Sequence, residues 1–485
     1  MIAEKQKSLK MNFIMNATLT MSSFIFPLIT FPYVSRILGP AGTGKVSFAT
    51  SVISYFALFA QMGIPTYGIR YCAKIRDDKM KLSQAAQEIF TLNLLLTIAT
   101  YVIFFVMLFT VPQLQKEKTL QIIVSMTMLF NAIGMEWLYK ALEQYTYITI
   151  RSVVFKLIAV AAMFALVRKE QDYVVYGAIS IFAASASNIF NLVHSHRYIS
   201  FHPVGKLNIR KHLKPVLVFF GMACATTIYV HLDIVMLGLM KTDVDVGYYH
   251  AAVKIKSILV SIVTSLGVVL LPRSSYYLEK QLNEEFYEIT QKALRFVLLL
   301  ATPLMIYFIL FAKEGIFFLS GNAYEGSIIP MQIIMPTLLF IGMSNITGLQ
   351  ILVPLGKEIV VLYSEITGAV VDLILNLILI PRYASSGAAI GMLAAEIAVW
   401  LVQILYLKDD IKKIYKDIHW KTILLGIMVS CLCAIWVKAV NVGNFLTLLI
   451  SAVLFFMAYG IVLFVTKEPL FREALEMIQK RIHRS

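Results

Sequence analysis

Charge is scarce in this chain: 15% of its 485 residues are charged, and acidic side chains number 28 against 43 Lys and Arg. Soluble domains carry about 25% charged and about 45–50% apolar residues, so 15% charged with 59% hydrophobic excludes an ordinary water-soluble fold. Cysteine is nearly absent. Cys72, Cys224, Cys431 and Cys433 lie in or beside apolar segments without the spacing of a disulfide framework or a zinc site, which leaves them as small packing residues. An Ala-x-Ala cleavage pattern is missing after the first apolar stretch, which runs on past Met21, Ser22 and Ser23, so that stretch reads as an uncleaved helix. The basic excess gives a formal charge of +15. No basic groove or aromatic stacking stripe accompanies it, which argues against a nucleic-acid partner.

What is present is a succession of about fourteen apolar stretches, centred near Phe24, Phe56, Leu95, Met128, Ala159, Ile181, Met222, Val260, Leu300, Leu338, Val371, Leu393, Leu424 and Leu454. Each approaches the roughly 20 residues that cross a bilayer's hydrocarbon core as a helix. Basic residues crowd every second gap: Arg70, Lys74, Arg76, Lys79 and Lys81; then Arg197, Lys206, Arg210, Lys211 and Lys214; then Lys408, Lys412, Lys413, Lys416 and Lys421. The alternate gaps hold about ten of the 43: Arg36, Lys45, Lys116, Lys118, Arg168, Lys169, Lys241, Lys313, Arg382 and Lys438. Positive residues mark the cytoplasmic loops of short-looped membrane proteins. The bias therefore predicts an all-α integral membrane protein with both termini in the cytoplasm.

The chain also repeats itself. The segment Gly44–Tyr55 can be laid on Gly247–Ile258 at a constant offset, Leu38-Gly39 on Leu237-Gly238 with a small gap, and Met62-Gly63 near Leu266-Gly267. Internal repeats of this kind are common in transporters. They predict a six-span bundle over residues 1–200, a second over 201–410, and two further spans with a cytoplasmic amphipathic tail over 411–485. The tail pattern is Leu470, Phe471, Ala474, Leu475, Ile478 and Ile482, spaced to lie on the membrane surface. Polar stripes at helical spacing mark the second span (Ser47, Ser51, Ser54, Gln61) and the eighth (His250, Lys254, Ser257, Ser261, Ser265). Such stripes serve either helix–helix hydrogen bonding or a water-filled cavity. Charges within spans are costly unless paired or hydrated, and each is a functional candidate by default: Glu136, Lys156, Asp233, Lys254, Lys256, Glu365, Asp372 and Glu396.

Four groups of residues resemble a known family: Ser35-Arg36-Ile37-Leu38-Gly39-Pro40 with Gly44; Glu143-Gln144-Tyr145; Asp233-x-x-Met-Leu-Gly238 with Gly247-Tyr-Tyr-x-Ala-Ala252; and Asn376-x-x-Leu-Ile-Pro381-Arg382-Tyr383 with Gly387-Ala-Ala389. In order and spacing they look like the polysaccharide-exporter branch of the MOP superfamily, nearest in type to Wzx repeat-unit flippases. The resemblance implies a MATE-like fold of two six-helix bundles around a cavity, with two additional C-terminal helices. It also implies export of undecaprenyl-pyrophosphate-linked oligosaccharide from the inner to the outer leaflet of a bacterial cytoplasmic membrane, with membrane lipids and a polysaccharide polymerase complex as partners. The related lipid II flippases place several arginines in the first, second and eighth spans. This chain has none in the first span before Arg36 and carries lysines in the eighth, so lipid II is not the expected cargo.

For an anionic cargo the candidate charges are Arg36 and Lys254, followed by Lys45, Lys156, Lys256 and Arg382. No cofactor is implied. Coupling to Na+, H+ or the membrane potential is expected, with Asp233, Asp372 and Glu365 as candidate ion-exchanging acids. Three motifs lead elsewhere. Gly39-Pro-Ala-Gly-Thr-Gly44-Lys45 spells most of a phosphate-binding loop, but Val46 replaces the hydroxyl that holds magnesium, and a membrane helix rather than a strand precedes it. Asp243 and Asp245 are an acidic pair such as a glycosyltransferase uses, in loops too short to build one. His194, His196 and His202 sit in a basic loop and imply no metal. A drug antiporter of the same fold class and a membrane glycosyltransferase or polymerase are the competing functions.

Overall fold

The computed structural model describes residues 9–202, 205, 207–408, 410–415, 418–440, 442–473 and 476. Lys206, one of the basic cluster, and most of the amphipathic tail, from Ala474 onward except Glu476, lie outside the described residues. Among the described residues there is no strand. Leaving aside single turns, the helices are α1 (Leu9–Gln61), α2 (Ile64–Lys74), α3 (Lys79–Thr110), α4 (Lys118–Gly134), α5 (Glu136–Ala141), α6 (Tyr145–Leu166), α7 (Tyr173–Ile181), α8 (Asn188–His194), α9 (Arg210–Met240), α10 (Asp243–Glu279), α11 (Asn283–Leu310), α12 (Ala312–Ser320), α13 (Ile328–Ile334), α14 (Thr337–Asn345), α15 (Glu358–Tyr406), α16 (Trp420–Ile435) and α17 (Asn444–Val465).

Nine helices are long and apolar enough to cross a membrane, or ten if one bent pair counts as a span, among the described residues. The count of fourteen is thus not reached by length and composition. Two helices are too long for a single crossing: 53 residues in α1 and 49 in α15 would run roughly 75–80 Å at 1.5 Å per residue, against a core of about 30 Å. Each is interrupted by one non-helical residue, Gly39 (φ 63°, ψ −178°) and Ala384 (φ 47°, ψ −124°).

The spans are inside-out relative to a soluble helix. On α3, Leu95, Ile98, Val102, Val106 and Phe109 are exposed, whereas Asn93, Thr97 and Thr100 are buried with Ile89, Phe104 and Leu108. On α17, Phe445, Leu449, Val453, Met457, Ile461 and Phe464 face out and Thr447, Ser451, Phe455 and Tyr459 face in. This is the arrangement a lipid solvent selects, because hydrocarbon offers no reward for burying leucine but penalises an exposed hydroxyl. Cys72 is fully buried against Tyr67 and Leu82, as a packing residue.

The chain divides into a first compact unit ending at Gly247 and a second beginning at Tyr248. In the first, α1 packs against α3, α4, α6, α7 and α9. In the second, α15 packs on α13 and α14, α14 on α11, and the pair α16–α17 docks on α11. The division by repeats, at residue 201, follows chain order; the division by packing keeps α9 with the first unit, where it meets α1 and α2.

Candidate functional site

The corner of the first unit where the first span turns into the second is built on close backbone contact. Gly39 takes a left-handed φ that a side chain would strain, and the chain turns there from the first span into the second. A Cβ on Gly44 would lie 1.8 Å from the carbonyl oxygen of Asp243, one on Gly247 would lie 2.0 Å from that of Pro40, and one on Gly238 would lie 2.0 Å from the Phe48 ring. The two glycines that the repeat aligns therefore meet each other's turns. Lys45 ends in this corner: its Nζ is 2.5 Å from Glu117 Oε1 and 4.5 Å from the centre of the Tyr173 ring, whose hydroxyl donates to Glu117 at 2.7 Å. The loop that spells a phosphate cradle is thus a tight turn whose lysine has a carboxylate partner. Asp245 accepts hydrogen bonds from the backbone N–H and hydroxyl of Thr242, and the Thr242 hydroxyl, just before α10, accepts from the Asp245 N–H and so caps its first turn.

The polar stripe of the second span meets α9. Ser47 and Ser51 are buried, Ser51 Oγ lies 3.2 Å from His231 Nδ1, and the Tyr55 hydroxyl donates to the Ile228 carbonyl at 3.1 Å. Ser54 is half-buried and donates to its own helix at Thr50, and Gln61 is half-buried at the helix end. Helix–helix hydrogen bonding accounts for Ser51. His231, which completes the contact, is missed by pattern reading because a lone histidine in an apolar run carries no periodic signal.

In the second unit, Ser257, Ser261 and Ser265 each donate to a carbonyl of the preceding turn of α10. Ser257 and Ser265 are exposed, so the stripe presents hydroxyl oxygens as acceptors on an open face. Lys254 is half-buried and makes no ion pair or hydrogen bond among the described residues. His250 is half-buried one turn before it, and Lys256 is buried, around the helix from Lys254.

The remaining candidates are dispersed. Arg36 is exposed at the C-terminal end of the first span and donates back to the Pro32 carbonyl. Arg382 is exposed just before the break in α15. Lys156 points into the first unit, donating to Ser22 Oγ at 2.8 Å and Ser23 Oγ at 2.9 Å. Asp233 is buried in α9, and Glu365 is half-buried in α15. Asp372 and Asn376, one turn apart and both fully buried, face Gly391 of the returning half of α15, where a Cβ would lie 2.5 Å from Asn376 Oδ1 and 3.0 Å from Asp372 Oδ1. Only a glycine leaves room for that carboxylate–amide pair.

Pattern reading also misses a buried network at the start of α9. Glu88, with no exposed surface, accepts from Lys211 Nζ at 2.6 Å, from the Asn208 N–H at 2.8 Å and from His212 Nε2 at 2.9 Å. With its proton on Nε2, His212 accepts at Nδ1 from the Tyr67 hydroxyl, 2.6 Å away. A second clip on the same side explains the Glu143-Gln144-Tyr145 motif: Glu143, at φ 57°, holds Arg76 at 2.7 Å and accepts from Asn12 Nδ2 at 3.3 Å. Its carboxylate keeps the Arg76 guanidinium charged above its ordinary range.

These features define a multi-pass, all-helical membrane protein built of two helical units. A solved structure described as "Lipid II flippase MurJ, inward closed conformation" superposes with a TM-score of 0.74 at 13% identity, covering 94% of this chain and all of that one. An inward-facing MATE-family multidrug transporter of the MOP superfamily follows at 0.63 and 12%, covering 84% and 99%. A family model described as "Polysaccharide biosynthesis protein" matches residues 9–278, more than half of the chain, and the chain belongs to that family. The relative named "Putative O-antigen transporter" in Escherichia coli strain K12 is 24% identical over 407 residues, covering 83% of this chain and 97% of its own, and its namesake in Shigella dysenteriae is 25% identical over 402 residues, covering 78% and 95%. The chain is accordingly a multi-pass member of the polysaccharide biosynthesis protein family with the all-helical fold of those two structures.

Proposed function

We propose that this protein flips undecaprenyl-pyrophosphate-linked oligosaccharide repeat units from the inner to the outer leaflet of the bacterial cytoplasmic membrane for assembly of a surface polysaccharide, delivering them to a polymerase complex. The observation that carries this reading is Lys254. Lys45 pairs with Glu117 and Lys156 with two serines, whereas Lys254 stands without a partner among the described residues on a face of hydroxyls. An intramembrane ammonium without a carboxylate is costly unless it faces water or an anion, and the pyrophosphate of a lipid carrier is such an anion. The serine face suits a sugar passing in water. The family match and the O-antigen transporter relatives support cargo of this kind. The test is reconstitution of the full chain with a labelled lipid-linked oligosaccharide: outward transfer that falls with Lys254→Ala and returns with Lys254→Arg supports the reading, and transfer unchanged in Lys254→Ala removes Lys254 from it.

Outward movement of two negative charges gains roughly 2.3 kcal/mol per charge per 100 mV of inside-negative potential, or about 4–5 kcal/mol. An exchanging cation is then an addition rather than a requirement. Should Na+ or H+ be exchanged, Asp233 is the first acid proposed, followed by Asp372 and Glu365; the buried Asp372–Asn376 pair supplies the oxygens that a small cation needs.

A further inference from the structure

Arg151 lies in α6, the fifth apolar stretch, and its guanidinium is enclosed by the first unit. Nη2 donates to Asn188 Oδ1 at 3.2 Å, and the Tyr147 ring centre is 5.9 Å away. Nε and Nη1 are buried without a hydrogen-bond partner among the described residues. The nearby carboxylate, Glu136, pairs with Lys140 at 2.8 Å instead. Asn191, one turn beyond Asn188 on α8 and fully buried, has neither its amide nitrogen nor its amide oxygen satisfied among the described residues. A buried guanidinium with unmet N–H groups beside an unmet amide is an arrangement that native interiors avoid unless a water or ion completes it.

The surroundings are built and rigid. Asn188 Nδ2 donates to Asn131 Oδ1 at 3.2 Å, and Gly134 admits it, since a Cβ there would lie 2.5 Å from that of Asn188. A π-helical turn, Phe182–Ala186, precedes α8. Such turns insert a residue into the helical register and recur at functional sites; here the turn sets the register from which Asn188 and Asn191 project. The outer surface of the same two helices is lipid-facing: Ile150 and Val154 on α6, and Phe190 and Val193 on α8, are exposed. The donors therefore sit one layer behind an exposed apolar wall. Basic pockets between membrane helices on the cytoplasmic side bind anionic head groups, and donors on several edges of a guanidinium suit an anion with several oxygens.

We propose that the seam between α6 and α8, lined by Arg151, Asn188, Asn191 and Tyr147, binds a phosphate group, supplied by the head of an anionic phospholipid or by free phosphate. The seam is built from residues of the first unit alone and uses neither Lys254 nor its serines, so the site stands or falls independently of the cargo. The test uses purified, delipidated full-length protein as wild type, Arg151→Gln and Asn191→Ala. Each is exposed to an equimolar mixture of phosphatidylglycerol and phosphatidylcholine, and retained lipid is measured by mass spectrometry; thermal unfolding is followed in parallel with inorganic phosphate. Expected are a several-fold preference of wild type for phosphatidylglycerol, loss of that preference in Arg151→Gln and its reduction in Asn191→Ala. Stabilisation by phosphatidylglycerol without response to inorganic phosphate identifies the lipid as source, and stabilisation by phosphate that displaces the lipid identifies the free anion. Wild type that neither prefers phosphatidylglycerol nor responds to phosphate overturns the proposal, as does equal retention by folded Arg151→Gln. Should Arg151→Gln not fold, retention in Asn191→Ala equal to that of wild type overturns it.

Discussion

Burial alone does not separate a working charge from a structural one in this protein; partners do. Lys45 and Glu88 are both satisfied at 2.5–2.6 Å, and Glu88 has the stronger consequence because it has no access to water. Breaking a buried ion pair by removing one member leaves an uncompensated charge and costs about 3–5 kcal/mol. Glu88→Ala is therefore expected to lower thermal stability in detergent far more than Glu143→Ala, whose half-exposed pair with Arg76 contributes at most about 1 kcal/mol. Equal stability of the two variants would show that the Tyr67–His212–Glu88 network does not hold α9 in place. For Lys254, loss of a charge-assisted contact worth about 1.5–3 kcal/mol should reduce transport roughly tenfold to a hundredfold at subsaturating cargo, with protein abundance unchanged.

At the scale of elements, glycine decides where helices touch. The motif glycines Gly44, Gly238 and Gly247 read in sequence as family markers; the structure shows each pressed against a carbonyl or a ring. A methyl group at such a contact forces backbone shifts costing about 1–3 kcal/mol. Gly44→Ala and Gly247→Ala should both lower the thermal midpoint, whereas Gly221→Ala, which meets nothing within 4 Å, should leave it unchanged. A midpoint unaltered in Gly44→Ala would mean that the corner relaxes at no cost. The helix count illustrates the opposite limit. Fourteen apolar runs predict fourteen separate spans, and the structure joins neighbouring runs into the long helices α1 and α15, in which one non-helical residue each, Gly39 and Ala384, parts one run from the next. Pro40 is tolerated because it directly follows the break, at the first position of the next helical segment, where its missing N–H costs no bond.

For the whole molecule, the basic bias makes a topological prediction: reporter fusions at Lys79 and Lys412 should lie in the cytoplasm, and those at Lys116, Lys169 and Lys313 outside. Two consecutive loops on one side would refute the arrangement. Energetics adds another. In vesicles with separately imposed gradients, an inside-negative potential should accelerate outward transfer of a doubly charged cargo. If an opposing Na+ or H+ gradient has no effect and Asp233→Asn transports normally, ion exchange is not the driving force.

Membrane residence and the all-helical class were legible in the sequence, because a lipid solvent imposes on composition, charge and span length constraints that hold before any helix meets another; the family was legible in its short motifs. The individual roles of charges were not. Arg151 is not singled out in the sequence, and Lys45 reads as a candidate for cargo; only the tertiary structure buries two nitrogens of the first without a partner among the described residues and gives the second a carboxylate 72 residues away in Glu117. Periodicity reports the face of a helix on which a residue lies, whereas the partner across that face belongs to another segment of the chain, and that pairing is settled by packing alone.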